Sequence, residues 1–416
     1  MRILWFTNSP SCYKSKSYKH GYNGGGWISS LEESLRKSNN IELGISFFMP
    51  GEPFKITDKT VTYYPLDNSG LDNKALTLIP GYYKKYERST WTSFESLFKK
   101  VVDDFLPDII QVFGSEEQFG LVSHITNVPI VLHIQGLINP YVNAFFPPGI
   151  SSNKYIFYDL KPYSILKRLR HLHLWKMAAM REIEILKCIK YYLGRTTWDE
   201  RLAHVFNPNP LYYEGGEILR FDFYKGGKRV LPQKITVVTT ISSPMYKGFD
   251  NILKAANILK HLLGMDFDWH VYGDIDPKFT EHFVGINHKS VNVILKGVAT
   301  AEQLREAMLN ATVYVHGSYI DNSPNSVCEA QILGVTPIVT DVGGVSSLVE
   351  NNKTGYTVPS NDPYQIAYLI KMLHFDKSKN MQLGLAAREV ALRRHDKDRI
   401  VSTLIGTYKS ILKNQR

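Results

Sequence analysis

The sequence predicts an α/β protein with two Rossmann-like domains, each built on a parallel sheet, that face each other across a cleft. Short apolar runs alternate with helical patterns in both halves of the chain, as in parallel sheets covered by helices on both faces. A break with Gly226, Gly227 and Pro232 separates the halves at 221–234. The length of 416 residues suits two to three domains.

The first half of the chain is predicted to contain five strands, three helices and one long loop. A long segment at 137–160, rich in proline and aromatic residues, is predicted to be a loop. The predicted strands are Ile3–Thr7, Ile45–Phe48, Thr60–Tyr64, Asp108–Val112 and Pro129–Ile134. The predicted helices are Trp27–Leu35, Phe94–Phe105 and 163–192.

The second half repeats the alternation. Its predicted strands are Ile235–Ile241, Trp269–Tyr272, Thr312–His316 and Pro337–Thr340. Its predicted helices are Asn251–Leu262, Ala301–Leu309, Asn325–Leu333, 363–373, 378–393 and 397–412. We therefore divide the chain into an amino-terminal domain at 1–220, a linker at 221–234, a second domain at 235–395 and a closing helix at 396–416. A return of that helix to the first domain is one option.

Composition narrows the class of protein. The net charge of +10 favours an anionic partner: a nucleotide, a nucleic acid or an acidic membrane surface. Only three cysteines occur, far apart, which argues against a disulfide framework and a zinc site and for a reducing, cytoplasmic setting. The four apolar residues at 3–6 are too few for a signal peptide, and no apolar run is long enough to span a membrane.

The most informative stretch runs from Val313 to Gly344 as strand, loop, helix, strand and Gly-Gly turn. Asp321 falls in the loop and Glu329 in the helix, eight residues later. The helix start at 323–326 places Pro324 at its first position, and its free N–H groups would face an anion. Each carboxylate also has a simpler interpretation: Ser326 and Glu329 fit a capping box, and Asp321 fits a turn.

This segment resembles the donor-site motif of retaining GT-B glycosyltransferases, in particular glycosyltransferase family 4, the glycosyl transferases of group 1. The resemblance implies that Asp321 contacts the donor sugar and Glu329 the ribose hydroxyls. Three departures stand out. Asp321 replaces the usual glutamate, Gly334–Val339 is one residue longer than the family's strand element, and Ser347 replaces a glutamate after the Gly-Gly turn.

A second match is Tyr246–Phe249, which is similar to the family's Lys-Gly element. The resemblance implies that Lys247 neutralises the donor diphosphate, a task that suits a point charge. A solvated turn lysine is the alternative. The family's arginine five residues earlier is Ser242 here, so another cation must contribute; Arg195 and Arg220 are the candidates that we consider.

The first half carries looser matches. Gly24–Gly26 followed by Trp27 resembles the family's Gly-Gly loop, which lies against the donor phosphates and the acceptor; a structural turn is the alternative. His133 ends a predicted strand and is followed by Gln135 and Gly136. The resemblance implies that His133 lies near the transferred sugar, whereas a buried structural histidine is equally compatible with the pattern. Tyr191–Asp199 is a weaker match to the end of the family's first domain.

The resemblance implies transfer of a sugar from a nucleotide diphosphate donor to a glycan or lipid-linked acceptor, with retention, in surface polysaccharide or glycolipid assembly. No metal or other cofactor is expected. The expected catalytic residues are His133, Lys247 and Asp321. The expected donor-binding residues are Gly25, Gly26, Ser242, Lys247, Asp321, Pro324, Asn325, Ser326 and Glu329. The expected acceptor-side residues are Trp27, Gln135 and Gly136.

Two other readings of the function stay open. One is a non-catalytic GT-B protein that binds a glycan or nucleotide, and the other is a GT-B relative such as a nucleotide-sugar epimerase. An epimerase would need acid–base carboxylates in both domains, and the sequence identifies none. No basic–aromatic motif of a nucleic-acid module occurs, so nucleic acid is not expected as a partner.

The predicted helix within 161–190 is basic, with a net charge of +6. Its apolar residues recur at mostly three-to-four spacing, for example Ile165, Leu169 and Leu172. A basic amphipathic helix is typical of reversible contact with an anionic membrane surface. The alternative is a domain helix whose apolar stripe faces the core.

Overall fold

The computed structural model describes residues 1–14, 26–38, 40–69 and 83–414, and within 83–90 only the backbone. These residues form two α/β domains, each with its own sheet. The predicted fold class is confirmed.

The amino-terminal sheet has eight strands in the order β3-β4-β2-β1-β5-β6-β7-β8. Every neighbouring pair is parallel except β3 and β4. The strands are β1 (Arg2–Phe6), β2 (Glu42–Phe48), β3 (Ile56–Asp58), β4 (Val61–Leu66), β5 (Ile109–Phe113), β6 (Ile130–His133), β7 (Tyr191–Gly194) and β8 (Leu211–Glu214). The order reverses at β1 and β5, so the carboxyl ends of these strands flank a crevice.

Helices cover both faces of this sheet. They are α1 (Gly26–Leu35), α2 (Tyr83–Phe105), α3 (Ile138–Asn143), α4 (Ser152–Ile156), α5 (Pro162–Cys188) and α6 (Thr197–Phe206). The short helix α7 (Phe221–Tyr224) belongs to the connection between the domains, and its buried Phe223 packs in a core cluster of the second domain. One apolar cluster includes Phe98 and Phe119, and the other includes Trp5 and Trp27. The segment predicted as a loop at 137–160 contains two short helices, because Glu182 holds the first turn of α3 and the Ser151 side chain caps α4.

The second sheet has six parallel strands in the order β11-β10-β9-β12-β13-β14, the doubly wound order with its reversal between β9 and β12. The strands are β9 (Ile235–Thr240), β10 (Phe267–Tyr272), β11 (Val293–Gly297), β12 (Val313–His316), β13 (Pro337–Thr340) and β14 (Tyr356–Val358). The helices are α8 (Phe249–Asn257), continued by a π-helical turn at 258–262, α9 (Lys278–Val284), α10 (Ala301–Leu309), α11 (Asn325–Ile332), α12 (Pro363–Phe375) and α13 (Lys377–Arg394).

The last helix, α14 (Lys397–Lys413), packs on the first domain. Ile400, Leu404 and Tyr408 join the apolar cluster around Trp5. The indole of Trp5 donates a hydrogen bond to the Tyr408 hydroxyl at 3.3 Å. The chain therefore crosses between the domains twice, once at 215–234 and once before α14, which ties both walls of the cleft together.

Two details differ from the sequence-based expectations. Pro324 is the N-cap of α11 rather than its first residue, because its ψ of 114° is extended and the helix begins at Asn325. The helix predicted over 163–192 ends at Cys188, and Tyr191 and Tyr192 belong to β7. In the part of the chain that the structure describes, no helix is long and apolar enough to cross a membrane.

Candidate functional site

A cavity of about 330 Å³ lies between the domains at the carboxyl ends of β9 and β12. Parallel α/β sheets bind ligands at such a reversal of strand order. Gly26 and Trp27 contribute from the first domain and Arg220 from the connection between domains. The predicted residues in its wall on the second domain are Ser242, Lys247, Pro324, Asn325, Ser326 and Glu329.

Asp321 lies behind this wall, only 5% exposed. The Lys247 ammonium forms an ion pair with its Oδ2, and His316 Nε2 lies 3.0 Å from the same oxygen. Oδ1 accepts a hydrogen bond from the backbone N–H of Asn322 at 3.0 Å and from the Tyr141 hydroxyl at 3.5 Å. Lys247 and His316 line the cavity, so Asp321 holds two side chains that face it.

The charges in this cluster decide its protonation. Burial alone would raise the pKa of Asp321, but Lys247 and His316 hold it well below its usual range. Burial would lower the pKa of Lys247, and the Asp321 charge raises it instead. For His316, burial outweighs Asp321 and lowers the pKa. At neutral pH the cluster is therefore a carboxylate, an ammonium and a neutral imidazole.

Glu329 lies on α11 and is buried, with its carboxylate facing Arg220. Arg220 Nε and Nη2 each donate to one carboxylate oxygen at 2.7 Å, a bidentate pair that joins the linker to the second domain. Burial raises the pKa of Glu329, and Arg220 opposes that shift. Glu329 does not close a capping box with Ser326, because Ser326 is inside the helix and accepts from the Tyr314 hydroxyl at 2.7 Å.

The amino-terminal end of α11 opens towards the cavity without a side-chain cap. Pro324, Asn325 and Ser326 form this end, and Asn325 Oδ1 is buried with no hydrogen-bond partner among the described residues. Uncapped N–H groups and the helix dipole favour an anion at such a position. Lys247 lines the same cavity, so a phosphate here would meet both a full and a partial positive charge.

The glycine loop is described from Gly26 onward; Gly24 and Gly25 lie outside the described residues. A Cβ at Gly26 would approach the Arg220 side chain to 3.1 Å, so glycine lets the arginine cross this helix start. Arg220 is therefore the arginine that reaches the cavity wall. Arg195, the other candidate, has a side chain that is 8% exposed and pairs with Glu217, and neither residue lines the cavity.

His133 is 1% exposed and lies one layer below the cavity. Its ring contacts Trp27 at a centroid distance of 5.3 Å and Phe113 at 5.7 Å. Burial, followed by the Arg195 charge, lowers the pKa of His133 to about 3, so the ring is neutral at physiological pH. The structure therefore brings His133 against a residue of the cavity wall, but not into the wall itself.

Gln135 and Gly136 reach the cleft mainly through their backbone. The Gln135 carbonyl accepts from Arg195 Nη2 at 2.9 Å and from Asn322 Nδ2, in the other domain, at 3.0 Å. The Gly136 N–H donates to Glu116 Oε1 at 2.7 Å. This segment therefore joins the two domains next to Asp321.

The sequence-based prediction missed two groups beside this segment, Glu116 and the pair of Tyr141 with Tyr246. The tyrosine rings stack across the cleft at 5.2 Å and 21°. Glu116 follows β5, and burial raises its pKa to about 7. His133 was singled out because it lies at the carboxyl end of a predicted parallel strand. Glu116, four residues beyond the predicted strand Asp108–Val112, lies at the same edge of the sheet and could have been found by the same rule.

No metal cluster accompanies these residues. Across 1–14, 26–38, 40–69 and 83–414, no three His, Cys, Asp or Glu side chains are grouped so that they could hold a metal ion.

Comparison with known proteins agrees with this architecture. The model of a family described as glycosyl transferases group 1 matches residues 226–390. The search of curated proteins found no significant match. Among solved structures, a sucrose-phosphate synthase from Thermosynechococcus elongatus is similar, with a TM-score of 0.73 and 16% identity over 99% of both chains.

Two further structures are similar over nearly their whole length. HepE of Anabaena, in complex with UDP and glucose, has a TM-score of 0.63 at 14% identity over 98% of this chain and 99% of its own. A glycosyltransferase from Rickettsia africae has a TM-score of 0.62 at 14% identity over 99% of both chains. Residues 226–390 thus match a glycosyl transferases group 1 domain within a GT-B fold, which confirms the predicted resemblance and the predicted enzyme class, a glycosyltransferase.

Proposed function

We propose that this protein transfers a sugar from a nucleoside diphosphate donor to a glycan or lipid-linked hydroxyl acceptor, with retention of the anomeric configuration, in surface polysaccharide or glycolipid assembly. The observation that carries the proposal is the cavity at the β9–β12 reversal. Lys247 and the uncapped end of α11 provide positive charge there, and Glu329 provides a buried hydrogen-bond acceptor in the same wall.

In this proposal the diphosphate lies against Lys247 and the first turn of α11. The ammonium and the helix N–H groups stabilise the negative charge that develops on the leaving diphosphate. Asp321 acts behind Lys247 by fixing the position of the ammonium. These groups supply the electrostatic stabilisation without a metal, so we expect activity to survive treatment with a chelator.

Glu329 is the proposed ribose ligand. Its two oxygens each accept one hydrogen bond from Arg220, and a carboxylate has about four acceptor positions. Two positions therefore stay available for the ribose hydroxyls while Arg220 holds the carboxylate in place. HepE, which has a similar fold, was solved with UDP and glucose, so UDP-glucose is the first donor to test.

Calorimetric titration with UDP, GDP, ADP and their glucose conjugates tests donor binding. We expect one nucleoside diphosphate to bind, and Glu329→Ala to weaken its binding by at least tenfold. Proton NMR of the product then gives the anomeric configuration. If no nucleotide binds at millimolar concentration, the catalytic proposal fails and the non-catalytic reading replaces it.

We further propose that the α4–α5 corner contacts an anionic membrane. The second half of α5 packs on the core through Ala179, Ile185 and Leu186, but its first half does not. Exposed apolar side chains cluster there, with Tyr163 80% exposed; they are Phe157, Leu160, Tyr163, Leu166 and Leu169. The exposed Lys161 and Lys167 lie among them. Apolar insertion combined with basic charge is the pattern of an interfacial helix.

Flotation with vesicles tests this contact. The wild type should float with vesicles of equal phosphatidylglycerol and phosphatidylcholine at low salt, but not with phosphatidylcholine alone. Leu166→Glu with Leu169→Glu should abolish flotation. The matched control, Leu385→Glu with Leu392→Glu, alters exposed leucines of α13 and should leave it unchanged. Failure of the wild type to float would refute the contact and leave the transferase proposal intact.

A further inference from the structure

Glu116 occupies a site built around its carboxylate. Gly114 has a φ of +81°, and a Cβ there would overlap Glu116 Oε2. A Cβ at Gly136 would lie 3.0 Å from Glu116 Oε1 and 3.2 Å from the Tyr141 hydroxyl. Two glycines, one before and one 20 residues after Glu116, therefore leave the space that the carboxylate and the tyrosine hydroxyl occupy.

Another glutamate holds the loops of this site in place. Glu182 of α5 accepts hydrogen bonds from the Ser115 hydroxyl at 2.6 Å and from the backbone N–H groups of Ile138 and Asn139 at 2.8 Å. Asn139 Nδ2 donates to it as well, at 2.8 Å. Glu182 is therefore saturated by the protein and acts structurally.

Glu116 is different because one of its oxygens is unused. Oε1 accepts from the Gly136 N–H at 2.7 Å. Oε2 is buried and has no hydrogen-bond partner on another described residue. Buried polar atoms in folded proteins nearly always have a partner, so an unpaired acceptor beside the segment that joins the two domains points to a donor that arrives with a ligand.

The site lies next to the predicted donor machinery. Tyr141, whose hydroxyl shares with Glu116 the space above Gly136, also donates to Asp321 of the other domain at 3.5 Å. The pKa of Tyr141 is raised well above its usual value, first by burial and then by charges that include Asp321 and Glu116. Tyr141 would therefore lie between a ligand hydroxyl bound to Glu116 and the Asp321–Lys247 pair.

We propose that Glu116 is the acceptor-side catalytic residue: its Oε2 binds the acceptor hydroxyl and takes the proton as that hydroxyl reacts. The inference rests on the proposed function. The acceptor oxygen forms a bond to the anomeric carbon of the donor sugar on the same face from which the diphosphate departs, so the configuration is retained. The bond from that carbon to the diphosphate oxygen breaks, and its electron pair leaves with the nucleoside diphosphate. The proton on Glu116 then passes to water.

The protonation behaviour of Glu116 suits this role. Burial raises its pKa to about 7, against the lowering effect of the backbone N–H groups of 116 and 136. A general base works best when its pKa lies near the working pH. The charged and titratable groups near it are Glu117 on its own loop, Arg181 and Glu182 from α5, Tyr141 from α3 and Tyr246 after β9.

The test compares wild type, Glu116→Gln and Glu116→Asp, with Glu117→Gln as the control at an exposed neighbour. UDP-glucose turnover is measured with water and with octyl β-glucoside as acceptors, and UDP affinity by calorimetry. We expect Glu116→Gln to lower kcat about 100-fold, the lower end of general-base contributions, with UDP affinity unchanged. The aspartate variant should keep part of the activity, and Glu117→Gln all of it.

The pH profile separates chemistry from structure. Wild-type kcat should rise with pH to a plateau above about 7. The residual kcat of Glu116→Gln should not show this rise. If the glutamine variant does not fold, the wild-type profile and the aspartate variant still test the proposal.

The remaining outcomes each contradict a specific claim. Wild-type turnover in Glu116→Gln overturns the role of Glu116 alone. Absence of nucleotide binding in the wild type overturns the proposed function and this inference with it. Nucleotide binding without turnover on either acceptor overturns the catalytic role. Deuterium uptake from D2O into the donor sugar would indicate an epimerase, in which a carboxylate removes a carbon-bound proton instead.

Discussion

The two walls of the cleft handle charge in opposite ways. On the carboxyl-terminal wall, buried carboxylates have cationic partners: Asp321 pairs with Lys247, and Glu329 with Arg220. On the amino-terminal side of the cleft, Glu116 accepts from backbone N–H groups alone, and its Oε2 has no partner on another residue that the structure describes. The first wall is suited to holding fixed charges against an anionic donor. The second is suited to exchanging a proton.

The largest effect is expected when a cation is removed from the carboxyl-terminal wall, where each buried carboxylate has a cationic partner. Lys247→Ala leaves Asp321 buried without its ammonium, which typically costs about 3–5 kcal/mol of stability. It also removes the proposed diphosphate ligand, so we expect kcat to fall by about 10²–10³-fold. Chemical denaturation and initial-rate assays measure the two effects.

The double variant Lys247→Met with Asp321→Asn separates these effects. Removing both charges should restore most of the stability, because no unpaired ion remains in the cleft. Activity should stay low, because the cation is still absent. Recovery of activity together with stability would show that Lys247 acts only as a structural partner of Asp321.

Stability against pH should distinguish the two walls directly. The folded-state pKa of Glu116, about 7, lies above its unfolded value of about 4.3. The folded state therefore binds this proton more tightly, and its stabilising contribution is lost as pH rises through 7. Relative to Glu116→Gln, the wild type should lose about 3 kcal/mol between pH 4 and 8.

Asp321 should show the opposite sign. Its folded-state pKa is depressed, so its contribution is present above the unfolded value of about 3.9 and is lost as pH falls below it. Denaturant titrations of wild type, Glu116→Gln and Asp321→Asn from pH 3 to 8 measure both trends. A parallel pH dependence in wild type and Glu116→Gln would contradict the assigned environment of Glu116.

The same contrast explains what the sequence could predict. Asp321, Ser326 and Glu329 lie on one strand–loop–helix unit, so their order along the chain indicates that they lie on the same side of the cleft. Arg220 is 109 residues from its partner Glu329, and no local pattern indicates the pair. The Glu116 site needs Gly114, Gly136 and Tyr141 to meet through tertiary packing. Long-range contacts of this kind are invisible to periodicity.

The fold shows the same division. Central strands such as β1 and β12 are almost wholly buried and therefore read as apolar runs. The edge strands β3, β8, β11 and β14 were not predicted, because their partly or fully exposed positions break the apolar pattern. The buried interior strand β7 was missed for another reason: the helix predicted over 163–192 ran into it. A buried central strand can be recognised from its run of apolar residues. An edge strand has no such run, because it forms by hydrogen bonding to its neighbouring strand.

A smaller effect should come from changing the geometry of a pair while keeping its charge. Arg220→Lys preserves the cation facing Glu329 but cannot make both hydrogen bonds. We expect a loss of about 1–2 kcal/mol in stability, typical of one charge-assisted hydrogen bond. Nucleotide affinity should fall about tenfold, the equivalent of about 1.4 kcal/mol. Unchanged affinity in calorimetry would separate Arg220 from the nucleotide site.

The smallest effect should come from the tyrosine between the walls. Tyr141→Phe keeps the stack on Tyr246 and removes only the hydroxyl that donates to Asp321 at 3.5 Å. That bond is long, and Asp321 keeps Lys247, His316 and a backbone N–H, so stability should fall by less than about 1 kcal/mol. Tyr141→Ala also removes the stack and should cost more. If the phenylalanine variant instead loses turnover with stability intact, the hydroxyl itself takes part in orienting the acceptor between Glu116 and Asp321.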